Sequence, residues 1–304
     1  MRTRARRVAF NAGWKGQVGG QADTPWRRSW RLFRRHRLGV IGASVFIIIG
    51  GAALLAPLIQ VYAPNAVDLN HIAAAPNHAH WLGTDRTGRD IWSRLVHGGR
   101  VSLSVGLVAV SIASVIGLAL GLVSGYFGGW VDLTIQRLTD LVMTFPSLVI
   151  ILTLVAVLGP NIGNIMLVLG LLGWPAPCRI VRSQVLVMRS QEYVQAARSI
   201  GAPSARILLT HLLPGTIPPL LVYASFGVAQ AMLTEAGLSF LGMGVQPPIS
   251  SWGNMLNAAR SLTILESAPW VWLPPGLMIG LSVLAINSIG DAVRDALDPR
   301  SIRR

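Results

Sequence analysis

Six apolar runs, each near the length of a membrane-spanning helix, most constrain the fold of this 304-residue chain. A bilayer core is crossed by about 20 apolar helical residues, and in lipid only helices and closed barrels satisfy every backbone polar group. Charged residues make up 12% of the chain, against about 25% in soluble domains. The sequence therefore predicts an all-α, polytopic membrane protein with six transmembrane helices, at about 40–61, 101–124, 141–158, 162–181, 217–233 and 270–289.

Basic residues are distributed unevenly between the two sides that these spans define. Six spans place both termini on one side, where segments 1–37, 125–140, 179–214 and 291–304 hold 11, one, five and four of the 26 Lys and Arg residues. Segments 62–100 and 236–269 on the other side hold four and one. By the positive-inside rule both termini are cytoplasmic. No nucleic-acid motif accompanies the net charge of +14, so the expected contacts of the basic tail are membrane lipids and not nucleic acid.

The span pattern divides the chain into five parts. A basic cytoplasmic tail with an amphipathic surface helix covers 1–37, a first transmembrane helix covers 38–62, and an external loop covers 63–100. A core with the other five helices covers 101–291 and includes a polar segment at 191–214, and a cytoplasmic C-terminal tail covers 292–304. The first apolar run is long enough to span the membrane and begins too late for a cleavable signal peptide.

The polar segment 191–214, QEYVQAARSIGAPSARILLTHLLP, interrupts the apolar pattern. Val194 and Ala197 share a helix face with Gly201, which suits a left-handed cap at the end of a first short helix over 191–200. A second short helix is expected to follow and to end at Pro214, before the next span. A compact helix-turn-helix between two spans presents a surface to a partner.

Small residues recur every four positions along the second span, at Ala109, Ala113, Gly117, Gly121 and Gly125. Residues at this spacing lie on one face of a helix. Small side chains on such a face let a second helix approach closely, which favours helix association in lipid. The second span is therefore predicted to pack tightly inside a helix bundle.

Residue types that carry catalysis or bind cofactors are nearly missing from the spans. No acidic pair has catalytic spacing, the spans contain no histidine, and the chain has no GxxxxGK[ST] phosphate loop. The single cysteine, Cys178, excludes an intrachain disulfide framework. We therefore predict that the chain is not an enzyme and carries no cofactor.

Four of the six histidines lie in the external loop, at His71, His78, His80 and His97. A metal site is conceivable there, since imidazole is a common zinc ligand. His78 and His80 share a face only in an extended backbone, and no cysteine or glutamate cluster supports them. We expect solvated or capping histidines and no metal.

Two polar residues near the last spans are candidates for the pathway of a transported species. Glu235 follows the fifth span, and an acid close to the membrane is a functional candidate by default. It either lines or gates a pathway, or accepts hydrogen bonds from backbone amides of the turn at Gly237. Asn287 in the sixth span either contacts a ligand or forms an interhelical hydrogen bond.

Segment 191–214 resembles the EAA motif of permease subunits in bacterial ABC importers, in which EAA is followed by three residues, Gly, nine residues and I-x-L-P. The matching positions are Ala196, Ala197, Gly201, Leu213 and Pro214. Gln195 stands where the motif has an acid and His211 where it has an aliphatic residue, while Glu192, three residues before Gln195, lies on the same helix face. The resemblance implies that these residues form the contact through which a partner ATPase is coupled.

A wider resemblance, over about 30–300, is to the second permease of dipeptide and oligopeptide importers. It rests on HWLGTD at 80–85, GRD at 88–90, RLTD at 137–140, LSFLG at 238–242 and the ending GDAVRDALDP at 290–299. That family also includes permeases for glutathione, nickel, opines and some sugars. The resemblance implies the permease fold and a place in the bacterial inner membrane. It also implies three kinds of partner: a second homologous permease, two ATPase subunits that bind ATP and Mg²⁺, and a periplasmic or lipid-anchored binding protein.

Two other classes of protein remain as alternatives. A secondary transporter or channel would need intramembrane charges or a coupling-ion site, and the spans are nearly bare of these. A membrane enzyme would need catalytic residues that the spans do not contain. The sequence favours the ATP-driven importer, with a peptide as the expected substrate because the family is rich in peptide permeases.

Overall fold

The computed structural model describes residues 25–297, and no strand lies among them. The predicted tail residues 1–24 and 298–304 lie outside this range. In chain order the helices are α1 (Pro25–Arg35), α2 (Arg37–Leu54), α3 (Ala56–Ile59), α4 (Ile91–Phe127), α5 (Gly129–Thr144), α6 (Ser147–Leu158), α7 (Ile162–Gly173), α8 (Pro175–Arg189), α9 (Glu192–Ser199), α10 (Ser204–Arg206), α11 (Leu213–Phe240), α12 (Trp252–Leu256), α13 (Leu262–Ser267) and α14 (Pro269–Leu297). The all-α prediction is confirmed.

Five helical runs are long and apolar enough to cross a membrane: Arg37–Leu54, Ile91–Phe127, Ile162–Arg189, Ser204–Phe240 and Pro269–Leu297. A sixth crossing requires α5 and α6 to be counted together, and these two helices meet at an angle of 84°. The bend lies at Phe145 and Pro146, where Phe145 is extended, as is usual before a proline. The predicted third span at 141–158 is therefore bent at Pro146, the proline that the sequence places inside it, and its status as a single crossing stays a prediction.

The second and fifth predicted spans are longer than the sequence suggested. α4 begins at Ile91 and not near 101, because the Asp90 carboxylate accepts a 2.8 Å hydrogen bond from the Ser93 amide and caps the helix. Helix also runs without a break from Ser204 through a π-helical turn into α11. Pro214 therefore does not end the unit, since the adjacent π turn accommodates a proline within a membrane helix.

α4 is the central helix of the bundle and packs against α2, α7, α8 and α11. Its small residues Ala109, Ala113, Gly117, Gly121 and Gly125 are all buried. A methyl group added at Gly121 would lie 2.6 Å from the carbonyl oxygen of Cys178 and 2.7 Å from Cβ of Val181. The backbones of α4 and α8 are therefore in direct contact along this face.

Candidate functional site

Helix α9 and the turn after it form the first half of segment 191–214. Gly201 has a φ of +77°, a conformation that L side chains rarely adopt. Its amide donates to the Arg198 carbonyl at 2.9 Å, and the Ala202 amide donates to the Ala197 carbonyl at 3.1 Å. These two bonds are those of a Schellman cap, which turns the chain sharply toward α10.

One face of the segment is buried against the protein's own spans. Val194 and Ala197 pack in a cluster with Ile207, Leu212 and Val185 of α8. Ala197, which the motif resemblance placed at the partner contact, is only 7% exposed and supports the surface from within. The segment is therefore attached firmly to α8 and to the start of α11.

The opposite face is exposed. Glu192, Gln195 and Ala196 of α9 are exposed. Two large apolar side chains of the same segment are also exposed, Ile200 with 84% and Leu209 with 62% of its surface. Exposed apolar side chains indicate a protein-interaction site where they form a patch rimmed by polar residues, and this side of the segment is our candidate for such a patch. This surface is called the docking face below.

Gln195 has a specific hydrogen bond that the usual acid of the motif could not form. Its side-chain amide donates to the carbonyl oxygen of Arg189, at the end of α8, at 2.9 Å. An ionised carboxylate can only accept hydrogen bonds. Gln195 therefore ties α9 to α8, and Glu192 remains as the exposed acid in the first turn of α9.

The second half of the segment continues directly into a span. His211 lies in the π-helical turn and stacks on Tyr193 of α9 with ring centroids 6.4 Å apart. Leu213 is half-buried and Pro214 is exposed in the first turn of α11. A displacement of the docking face would therefore pass into α11 without an intervening loop.

Ion pairs anchor α8, the helix that leads into the segment. Arg182 donates two hydrogen bonds of 2.6 Å to the carboxylate of Asp132 on α5. Arg179 pairs with Asp140, also on α5, at 2.5 Å. The guanidinium of Arg198 on α9 lies over the Tyr126 ring at the end of α4, 4.7 Å from its centroid. The segment is thus connected through side chains to the bent α5–α6 pair and to α4.

Glu235 is fully buried near the other end of α11. Three serine hydroxyls donate to its carboxylate, from Ser239 at 2.7 Å, Ser251 at 2.9 Å and Ser102 at 3.4 Å. In this conformation it lines no exposed path, and its partners are hydroxyls and not the amides of the turn at Gly237. The gating role stays a prediction.

Each of the three serines also accepts a hydrogen bond from a backbone amide. The donors are Trp252 to Ser102 at 3.1 Å, Val245 to Ser239 at 3.2 Å and Asn254 to Ser251 at 3.0 Å. The carboxylate thereby orients hydroxyls that satisfy buried amides of the α11–α12 connection. This hydroxyl cluster fastens that connection to α4 and α11. In the sequence, only the i,i+4 spacing of Glu235 and Ser239 signals it.

We expect Glu235→Ala to lower the thermal unfolding midpoint of the purified protein more than Glu235→Gln does. Alanine leaves three buried hydroxyls without their acceptor, at about 1–3 kcal/mol for each group left unsatisfied. Glutamine keeps an acceptor oxygen. Glu266→Ala, at an exposed glutamate, is the control and should leave the midpoint unchanged. Equal effects of the alanine and glutamine substitutions would contradict the role of the hydroxyl cluster.

A cavity of about 340 Å³ opens between α4, α6, α7 and α11. Tyr223, Gln230 and Thr234 of α11 give it a polar wall. Sequence reasoning missed these residues, although positions i, i+7 and i+11 share a helix face and could have identified them. Asn287 of α14 does not line this cavity; it is half-buried and forms no hydrogen bond with the residues that the structure describes. Its two alternatives stay predictions.

The loop between α3 and α4, residues 60–90, brings His71 and His80 together. The sequence had pointed to His78 and His80 as the pair to consider. His78 is exposed, whereas His80 is buried beside His71, with ring centroids 5.5 Å apart. Nε2 of His97, on α4, lies 2.7 Å from Oε1 of Gln60. Of the two alternatives, solvated or capping histidines, the first does not apply to His80, which is 3% exposed.

Two carboxylates of this loop have lowered pKa values. Burial by itself raises the pKa of Asp85, but hydrogen bonds from Thr87 and Arg89 together with the charge of Arg89 outweigh it. The pKa of Asp68 is lowered chiefly by the hydrogen bond from His71. Both groups are therefore anionic acceptors at neutral pH.

Comparisons with known proteins agree with this architecture. A family model described as "Binding-protein-dependent transport system inner membrane component" matches residues 117–303. A second, "N-terminal TM domain of oligopeptide transport permease C", matches residues 24–76. A solved structure of the MetNI methionine ABC transporter in inward-facing conformations shares the fold, with a TM-score of 0.52 and 19% identity over 68% of this chain and 98% of that one.

Curated relatives match almost the whole chain. A protein of Brucella suis biovar 1 (strain 1330), whose name includes the words peptide permease protein, is 45% identical over 94% of this chain and 95% of its own length. The dipeptide transport system permease protein DppC of Alkalihalophilus pseudofirmus is 39% identical, with 92% and 91% covered. The glutathione transport system permease protein GsiD of Escherichia coli O6:K15:H31 is 42% identical, with 92% of each chain covered. The chain therefore belongs to the family of binding-protein-dependent transport system inner membrane components, the multi-pass permease subunits of bacterial ABC importers.

Proposed function

We propose that this chain forms half of the translocation pathway of an ATP-driven importer for dipeptides and oligopeptides. A second, homologous permease forms the other half as a heterodimer partner. Two ATPase subunits bind ATP and Mg²⁺, and an external binding protein delivers the substrate. In this proposal the chain is a transport subunit, and ATP hydrolysis takes place in the partner ATPases.

The observation that carries this proposal is the docking face of segment 191–214. It is exposed on one side and packed on the other, and it continues directly into α11. Ile200 and Leu209 supply apolar contact area that a partner can bury. Binding of ATP by the partner would shift the equilibrium between inward-open and outward-open states through contacts that differ between them.

The distribution of basic residues supports an orientation in the membrane with both termini in the cytoplasm. If α5 and α6 together cross the membrane once, the described chain has six crossings and both termini lie on the same side. That side holds the docking face and most of the basic residues, so we place it in the cytoplasm.

Relatives support the substrate class. Their names include peptide, dipeptide and glutathione permeases, all of which refer to peptides or peptide-like molecules. The polar wall formed by Tyr223, Gln230 and Thr234 suits a substrate with many hydrogen-bonding groups. Measuring which of dipeptides, oligopeptides and glutathione binds to the cognate binding protein tests this assignment.

We expect Ile200→Asp to abolish copurification of the ATPase subunits, because a charge at an apolar interface loses its hydration without gaining a partner. Leu262→Asp is the matched control, since Leu262 is 73% exposed on α13, which follows α12 in the chain and is far along the chain from the docking face. That variant should retain the ATPase subunits. Retention by Ile200→Asp, or equal loss from both variants, would contradict the docking assignment.

A further inference from the structure

Asp68, His71 and His80 bring three metal-ligating atoms together in the α3–α4 loop. One ligand atom from each residue lies within 4.8 Å of the others. Nδ1 of His71 is 2.7 Å and Nε2 of His80 is 3.8 Å from Oδ2 of Asp68. These separations bracket the roughly 3.3 Å between ligand atoms of a tetrahedral zinc ion with bonds of about 2.0–2.1 Å.

His80 is oriented for coordination by a carboxylate behind it. Its Nδ1 lies 2.9 Å from Oδ1 of Asp90, which is 2% exposed. The other oxygen of Asp90 accepts hydrogen bonds from the amide and the hydroxyl of Ser93. Because Asp90 acts as an acceptor throughout, we assign the His80 proton to Nδ1. A carboxylate that holds the far nitrogen of a histidine is the usual support of a metal-binding imidazole.

This assignment places a lone pair of His80 opposite a carboxylate. In the neutral ring Nε2 is then an acceptor, and it faces Oδ2 of Asp68, which is also an acceptor. Two acceptors at this distance repel each other unless a cation lies between them, either a proton on Nε2 or a metal ion. His80 is 3% exposed, so bulk water screens the repulsion poorly.

We propose that Asp68, His71 and His80 form a Zn²⁺ site. One carboxylate and two imidazoles are ligands that suit zinc. Coordination through Nδ1 of His71 needs the neutral ring with its proton on Nε2, so Nδ1 then binds the ion and no longer donates to Asp68. The side chains of Asp68 and His71 are 37% and 45% exposed, which gives the ion a route from solvent and leaves a fourth position for water. The ion joins residues 68–71 to His80 and, through Asp90, to the N-terminus of α4.

Zinc binding by the full-length chain tests the proposal. The protein is purified through an affinity tag without histidines, treated with a chelator, dialysed, and titrated with Zn²⁺ alone. We expect one ion per chain and a higher thermal unfolding midpoint with zinc. His71→Ala and Asp68→Asn each remove a ligand and should weaken binding by more than the roughly 10–100-fold that loss of an outer partner costs.

His78→Ala is the matched control, because His78 lies in the same loop, is exposed and is outside the cluster. It should bind zinc as the unaltered chain does. Asp68 and His71 are both partly exposed, so their substitution tests the site without opening the buried core around His80. The proposal is overturned if the unaltered chain binds no zinc. It is equally overturned if His71→Ala and Asp68→Asn retain full affinity, or if His78→Ala loses as much as they do.

Discussion

Gly201→Pro should abolish substrate uptake while leaving the amount of protein in the membrane nearly unchanged. Proline fixes φ near −65° and has no amide proton. Gly201 needs a φ of +77° and donates its amide to the Arg198 carbonyl. The Schellman cap cannot form, so α9 and the docking face lose the orientation that the proposed ATPase contact requires. Uptake of labelled dipeptide by cells, normalised to membrane protein, measures the effect.

Two further variants separate coupling from general strain. Gly201→Ala should retain partial uptake, because alanine reaches the left-handed region at a cost of about 1–2 kcal/mol. Gly159→Pro places the same substitution at another glycine of positive φ, after α6 and away from the docking face. It should leave the ATPase subunits bound. Normal uptake in Gly201→Pro would refute the coupling role, as would loss of ATPase binding in Gly159→Pro.

Gly121→Val should remove most of the folded protein from the membrane. The added Cβ would lie 2.6 Å from a backbone oxygen of α8, which cannot move away as the end of a side chain can. Overpacking of a core typically costs about 1–3 kcal/mol and occasionally more. We expect a cost at the upper end of this range or beyond it, because α4 and α8 would have to separate along their contact. The yield of monodisperse protein in detergent and its unfolding midpoint measure the effect.

Gly280→Val is the matched control for this substitution. Gly280 lies in the apolar helix α14, and no atom lies within 4 Å of a Cβ built there. The same side chain in the same kind of helix should therefore be tolerated. A yield as low as that of Gly121→Val would show that valine in a span is itself harmful, and the argument from close packing would fail.

Several features were available from the sequence because they are local. The apolar run lengths predicted a helical membrane protein, and Gly201 at the end of α9 predicted the cap. The four-residue spacing from Ala109 to Gly125 predicted a packing face, which lies buried against α7 and α8. Periodicity and turn preference depend on neighbours a few residues away, so they can be read without the fold.

The effect of a proline on a membrane helix could not be predicted from its neighbours in the sequence. Pro146 and Pro214 carry the same local signal, yet the chain bends by 84° at the first and continues as helix through the second. Which outcome occurs depends on whether neighbouring turns and helices satisfy the freed backbone groups. The run at 191–214 was accordingly predicted to be separate from the fifth span, whereas its second half, from Ser204, begins that span.

The sequence by itself determined that this chain is a helical permease and predicted a surface for an ATPase, because membrane length, charge bias and the EAA-like spacing are linear properties. Only the tertiary structure decided which side of that surface is free. It also decided that Glu235 is bonded to Ser102, 133 residues earlier, and that His80 lies with Asp68 and His71 and not with His78. Helix packing and loop closure bring such partners together. Because the partners are far apart in the chain, no local periodicity in the sequence indicates the contact.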